Sequence, residues 1–556
     1  MEKIKLTIEA SKNKGTREFR KGISLVEVLK ELNVRSSCDI VAAKQKNEIR
    51  ELTYTIDTDS EIKFVGLEDI DGFRIYTRSL IFLLIKAVKD LHSRGDIYVR
   101  NSISEGTYCD LVGVGKVTEK KVKQIEQKMR ELVNEELPFT KIVLPIEKGK
   151  KFYKDVGLLN KYNLIEYTDR QYVTLYELDG LKNYFYGYMV PNTGFLTSFE
   201  LVYYGGGLIV RCPTVKSPKR IPLFVEQKKI LGVFKEFKDW NSILGIENVG
   251  MINKIIHDGK LGDYIRVAEA LQEKKIAHIA DMICSSEDDK KLVLIAGPSS
   301  SGKTTFSKRL EVELRVNKKK PVTIGLDDYF LDRKNTPRDE EGNLDYESID
   351  ALDIKKFNQD LVDLIAGKEV EIPIFNFKIG ARDKKTRKLK LADDSIIVIE
   401  GIHGLNDALT ASVDSANKFK IYVSALTTLN LDEHNRIYTT DNRLLRRIVR
   451  DNQFRGIDAL ETIERWHLVR KGEEKNIFPF QENADVIFNS ALMYEIFVLK
   501  GYAEKLLKEI DNKHPQYIES KRLLGFLSYF LEAPTKDIPQ DSLLKEFIGG
   551  SCFEQT

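Results

Sequence analysis

Long apolar runs are missing from this 556-residue sequence. No segment approaches the roughly 18 consecutive apolar residues of a membrane span, and the start, MEKIKLTIEASKNKG, has no apolar stretch of signal-peptide length. No membrane partner and a cytoplasmic location are therefore expected. Cysteine is scarce too. The five, Cys38, Cys109, Cys212, Cys284 and Cys552, form no CxxC pair, which fits neither a disulfide framework nor a thiolate zinc site. Nor is there an excess of one charge: 88 basic residues face 85 acidic ones, for a net charge of +3, so bulk charge points to no particular partner. Internal repeats and low-complexity segments are also absent.

The chain is too long for one ordinary core and predicts about three or four domains. Residues 1–67 alternate apolar and polar positions (Ile4, Leu6, Ile8), then run through a helix-like SLVEVLKEL and strand-like DIVAAK and SEIKFVGL. Residues 68–220 read as α+β: helical TRSLIFLLIKAVKDLHS, strand-like IYVRNS and GTYCDLVGVG, then helical KVTEKKVKQIEQKMRELVNEE. Residues 221–290 carry helical periodicity up to SSEDDK and read as a connector. From Lys291 to about residue 490, short apolar runs (LVLIAG, PVTIGL, SIIVIEG, FKIYVSA) alternate with helices, the pattern of a parallel sheet with crossover helices. Helices and a tail occupy 491–556.

The run LVLIAGPSSSGKTTFSKRL sets Gly297, Gly302, Lys303 and Thr304 in a GxxxxGK[ST] pattern, directly after a strand and before a helix. Glycines let backbone N–H groups curl around phosphates, and the helix N-terminus adds partial positive charge. The loop, through Pro298, Ser299, Ser300, Ser301 and Thr305, is expected to bind ATP, with Lys303 on the β and γ phosphates and Thr304 on Mg2+. A second magnesium-side group is expected at a strand end, where DSIIVIEG offers Glu400.

A kinase for a small alcohol also needs a carboxylate to take the proton of the attacking hydroxyl. PVTIGL ends in Asp327 and Asp328, and ligands sit at the carboxyl ends of parallel strands; Asp327 is the favoured base. In NRLLRRIVRDNQFRG, Arg443, Arg446, Arg447 and Arg450 share one helical face opposite Leu444, Leu445, Ile448 and Val449. Such a face can clamp phosphate as a lid, with Arg455 a further candidate. The basic run KIGARDKKTRKLK lacks interleaved aromatics and reads as a solvated hairpin, with Arg382 its candidate functional member. His403, just past Glu400, is the one histidine expected near the site.

In this order the segments resemble the uridine kinase and phosphoribulokinase family of P-loop kinases. GPSSSGKTT resembles its P-loop, LDDYF its DSFY segment, IPIFNF its PxYDF segment, IIVIEGI its EG motif and RLLRRIVRDNQFRG its RRxxRDxxxRG lid. The resemblance implies a catalytic Asp327, an acidic Glu400 and lid arginines Arg443, Arg446 and Arg447; the expected acceptor site comprises Asp327, Tyr329, Phe375, Arg382 and Arg455. Phe375 and Gly380 stand where uridine kinases carry tyrosine and histidine, and LDYESIDALD, with Asp345 and Asp350, replaces FDHPDAFD. Residues 1 to 220 resemble threonyl-tRNA synthetase, implying a ubiquitin-like (β-grasp) TGS domain and an editing-like domain. There, RSLIFLL puts Arg78 and Phe82 at the histidine positions of HSxxHLL, and FYGYMVPNTG replaces the CRGPH segment. An editing site missing those groups is expected to be inactive.

The expectation is thus an α/β P-loop kinase domain preceded by β-grasp and editing-like α+β domains. The expected activity is ATP- and Mg2+-dependent phosphorylation of a small molecule, with a uridine- or cytidine-like nucleoside as default acceptor. One alternative is a kinase of a sugar phosphate or other small alcohol. Another, of a different class, is an RNA-associated regulatory nucleotide-binding protein, although nucleic acid is not the favoured partner. A homo-oligomer is expected.

Overall fold

The computed structural model describes all residues except 1, 11–12, 33–39, 286–289, 339–341, 343, 346, 377–378 and 554–556. Cys38, most of the SSEDDK turn, Tyr346 and Phe377 therefore lie outside the described residues. The alternation of Ile4, Leu6 and Ile8 turns one face of the strand Lys3–Ala10 inward. That strand pairs antiparallel with Asn13–Arg20 and parallel with Ser60–Gly66, in a mixed sheet completed by Ile40–Gln45 and Glu48–Glu51. The helix Leu25–Glu31 starts at a capping box between Ser24 and Glu27 and buries Leu25, Val28 and Leu29 against the sheet, as in a β-grasp.

The helix Ile70–Leu91 is apolar on nearly every side, and it is buried accordingly. It packs with the amphipathic helix Glu119–Asn134 and a four-stranded antiparallel sheet whose central pair is Gly207–Arg211 and Gly106–Val112. A three-stranded sheet of Thr140–Pro145, Tyr172–Leu178 and Leu181–Tyr184 adjoins it.

The C-terminal region is built on five parallel strands in the order Lys320–Gly325, Ser395–Glu400, Leu292–Ala296, Lys418–Ser424, Val486–Asn489. Leu292–Ala296 is buried at every position, as a central strand covered on both faces must be. Helices Lys303–Val316 and Leu261–Ser285 line one side through Phe306, Leu310, Ile276 and Ile279. The helix Ile354–Ile365 packs Phe357 and Leu361 against the other.

One core crosses the stretches that the sequence pattern separates at 220, 290 and 490. It joins Tyr153, Leu164 and Leu175 to Ile252 and Ile265, and these to Leu445, Leu499, Phe526 and Phe547. Between the strand Lys418–Ser424 and the helix Thr439–Arg455, the chain reaches into the N-terminal half. There Lys161 forms a fully buried ion pair with Asp432 at 2.9 Å, and the Val99 N–H donates to the Glu433 carbonyl. Such a pair holds its position because removing either partner strands a charge away from water.

Candidate active site

Every peptide unit of the loop after Leu292–Ala296 has a reason for its shape. A side chain at Gly297 would put a Cβ 2.0 Å from the Val423 carbonyl oxygen on the next strand, so only glycine fits. Ser300 (φ +58°) and Gly302 (φ +82°) take left-handed backbone conformations, curling the chain into the helix Lys303–Val316. Three successive carbonyls are drawn outward: Ser299 accepts from Arg443 Nε (2.9 Å), Ser300 from Arg446 Nη1 (3.3 Å) and Ser301 from the Ser490 hydroxyl. With these oxygens satisfied on the outside, the remaining N–H groups of the loop and of the first helical turn, which have no intrahelical acceptors, are the ones that could receive an anion. Lys303 Nζ folds back on the Pro298 carbonyl at 3.2 Å, and burial lowers its pKa despite nearby Glu400 and Glu546.

The Thr304 hydroxyl donates to Glu400 Oε1 at 3.1 Å, which joins the first helical turn to the end of the neighbouring strand. Burial raises the Glu400 pKa. Gly325 pairs with Glu400 across the sheet, so the turn Leu326–Tyr329 leaves the same rim and carries Asp327 to it, exposed. The protein packed around it removes part of its water and raises the Asp327 pKa, and the like charge of Asp328 adds to this. Asp327 in turn raises Glu400. The lysine, the hydroxyl and both carboxylates thus share one edge of the sheet. One glutamate and one threonine are a sparse protein ligand set, of the kind that suits magnesium, which keeps several waters and takes phosphate oxygens.

Other expected residues are placed differently. Arg443 and Arg446 are 1% and 0% exposed and do not form a solvent-facing clamp. Arg443 is paired with Glu473, and Arg446 with Glu495. The helix Thr439–Arg455 is buried on its apolar face by the shared core and on its basic face by these acids and the loop carbonyls. Arg447 reaches the Ser299 hydroxyl at 2.8 Å, and Arg450 and Arg455 turn to Asp451. Tyr329 is buried with its hydroxyl on Asp360 (3.0 Å), and Phe375 is buried against Phe330. Arg382 bonds Asp353 and the Tyr329 carbonyl, so it braces the turn carrying Asp327. Beside Gly380, Arg333 fills the space a side chain would need. His403 is buried, its pKa pushed down to about 4 by loss of water. Phe82 packs against Phe139 and Phe185 in the N-terminal core.

Several groups carry no local sequence signal. The Glu473 carboxylate accepts from the Ser299 N–H at 2.8 Å and, with Arg443, fixes both sides of that residue. Glu546, from the last short helix Lys545–Ile548, accepts from the Thr305 N–H (3.2 Å) and hydroxyl (2.9 Å). A chain carboxylate therefore sits at the helix start, where dipole and free N–H groups favour an anion. Only the folded path of the last hundred residues brings these groups to the loop.

The parallel sheet, the glycine loop that turns its central strand into a helix and the carboxylates on the same rim define a P-loop kinase fold. Residues 292–496 match the model of the Phosphoribulokinase / Uridine kinase family. A solved structure described as a possible uridine kinase from Bacillus stearothermophilus is 20% identical and covers 39% of this chain and 100% of its own, with a TM-score of 0.25. The N-terminal region is similar to threonine–tRNA ligases. The Thermotoga maritima protein is 28% identical over 207 residues, 37% of this chain and 31% of the ligase. That of Francisella tularensis subsp. novicida is 26% identical over 190 residues, 34% of this chain and 30% of the ligase. The chain spans about a third of the length of these curated relatives. Among the described residues, no helix is long and apolar enough to cross a membrane.

Proposed function

We propose that the chain is an ATP-dependent kinase that phosphorylates the hydroxyl of a small molecule, with a pyrimidine nucleoside as the first acceptor to test. The observation that carries this reading is the Thr304–Glu400 hydrogen bond at 3.1 Å, beside a cradle whose carbonyls are pinned outward. An anion cradle alone would serve any nucleotide-binding protein. A hydroxyl and a carboxylate meeting at its edge, with Asp327 on the adjacent strand end, suit phosphoryl transfer to an alcohol.

In this reading Asp327 accepts the proton of the acceptor hydroxyl as its oxygen bonds to the γ-phosphorus and the bond to the β–γ bridging oxygen breaks. The products are a phosphate ester and ADP. Lys303 leaves the Pro298 carbonyl to neutralise the phosphates. Arg447, whose guanidinium already reaches the loop at Ser299, is the arginine best placed to join it. Magnesium, held by Thr304 and Glu400, would offset negative charge on the phosphate oxygens. Arg443 and Arg446 act by holding the loop in shape. Tyr329, Phe375 and Arg382 shape the wall behind Asp327, and their side chains are already engaged within the protein. A sugar or sugar-phosphate acceptor therefore stays in the same screen.

The test is acceptor-dependent ADP release over a panel of nucleosides, sugars and sugar phosphates, repeated with Asp327→Asn. Turnover should fall at least about 100-fold, the usual contribution of a general base, while ATP binding is retained. Unchanged turnover, or no acceptor in the panel raising ADP release, overturns the reading.

A further inference from the structure

Far from the P-loop, where the N-terminal half meets the chain around residues 431–441, lies a cavity of about 60 Å³ lined by four arginines: Arg74, Arg78, Arg436 and Arg522. Two of them are neutralised. Arg74 pairs with Glu519 (2.9 Å) and Asp71 (3.4 Å), and Arg522 with Asp441 and Glu519 (2.7 Å each). The other two are not. Among the described residues neither Arg78 nor Arg436 has a carboxylate within ion-pair distance; Arg78 donates to the Tyr188 carbonyl at 2.7 Å, and Arg436 lies over the Tyr438 ring at 4.3 Å. His434, also at the wall, is already committed to Asp96 at 2.9 Å.

The placing of Arg78 is specific. Its guanidinium fills a slot beside Gly187, where a Cβ would come within 2.6 Å of Cζ, and Gly187 has φ +114°. Loss of water lowers the Arg78 pKa, yet an arginine stays charged in proteins. Arg78 is half-buried, and no carboxylate among the described residues offsets its charge. With one donor on Tyr188, the fork has others left for a ligand. The cavity has room for about four or five waters, which bounds the ligand to a few heavy atoms.

We propose that this cavity is a binding site for a small oxyanion, a phosphate or a small carboxylate, held between Arg78 and Arg436. Its chemistry is that of the guanidinium fork, which matches the paired oxygens of either group. Phe185, Tyr186, Tyr438 and Phe526 complete its wall.

The test is calorimetric titration of the full-length chain with orthophosphate and, separately, acetate, in a Lys303→Met background that suppresses phosphate binding at the P-loop. One residual site is expected, weakened at least tenfold by either Arg78→Met or Arg436→Met. The anion that binds more tightly identifies the class. No residual site for either anion, or affinities unchanged in both variants, overturns the proposal. Should Arg78→Met fail to fold, phenylglyoxal labelling of the Lys303→Met chain, mapped by mass spectrometry, decides. The bound anion should protect Arg78 and Arg436, and equal labelling with and without it refutes the site.

Discussion

Replacing Arg443 by methionine separates two roles an arginine in this helix can have. A lid residue touching only the transferred phosphoryl group would lower turnover and leave the fold alone. The structure instead buries Arg443 between Glu473 and the Ser299 carbonyl, with its guanidinium near Trp466. Arg443→Met therefore leaves the buried Glu473 carboxylate with Arg470, at 3.3 Å, as its one remaining cation and a loop carbonyl unpaired. Breaking a buried pair on one side costs about 3–5 kcal/mol when the charge is left alone, and Arg470 brings the expected loss to the lower end of that range. Urea denaturation followed by tryptophan fluorescence should show the loss, because Trp466 is one of only two tryptophans. ATP should also bind more weakly, since Ser299 is then held on one side only. Adding Glu473→Gln should restore part of the stability, because the double variant no longer buries an under-compensated carboxylate. Unchanged urea stability together with a large loss of turnover would refute the supporting role and return Arg443 to the phosphate.

Glu400→Gln or Thr304→Val should raise the magnesium concentration needed for half-maximal ADP release by about 10- to 100-fold; an unchanged requirement removes these residues from the metal. If Asp327 takes the acceptor's proton it must be ionised, and because its pKa is raised, kcat/KM should fall as pH drops through a value above that of an ordinary aspartate. Asp328→Asn, by removing the like charge, should move that acid limb to lower pH, and a limb that stays put refutes the coupling. Glu546→Gln should tighten nucleotide binding by about tenfold, corresponding to about 1.5 kcal/mol for a charged hydrogen bond no longer competing for the Thr305 N–H; weaker binding on calorimetric titration would show that Glu546 supports the loop instead.

Features encoded over a few adjacent residues were legible in the sequence. The glycines of the loop, the β-branched run ending at Glu400 and the alternation in Lys3–Ala10 each write their structure locally. The arginine spacing correctly put Arg443, Arg446 and Arg447 on one helical face, but periodicity cannot say what that face meets. Glu473 and Glu495, thirty and forty-nine residues further on, turned two of its arginines into buried partners. Tyr329 and Arg382 show the same limit of sequence pattern. Their types suit ligand contact, but Asp360 and Asp353, on and just before a helix outside either motif, engage them first. Glu546 was invisible because a lone glutamate in a tail has no pattern; only the return of the chain to Thr305 gives it meaning.

The core that unites Tyr153, Leu164 and Leu175 with Leu499, Phe526 and Phe547 has a consequence for the order of assembly. On the ribosome the N-terminal half emerges first, yet part of its apolar surface has no partner until the final helices follow. At about 5–20 residues per second, that surface waits many seconds uncovered, a window in which chaperones or premature association can intervene. Chains stopped short of Phe547 would leave the same surface open permanently, so nonsense variants near the end should be cleared as misfolded protein before any loss of chemistry is felt.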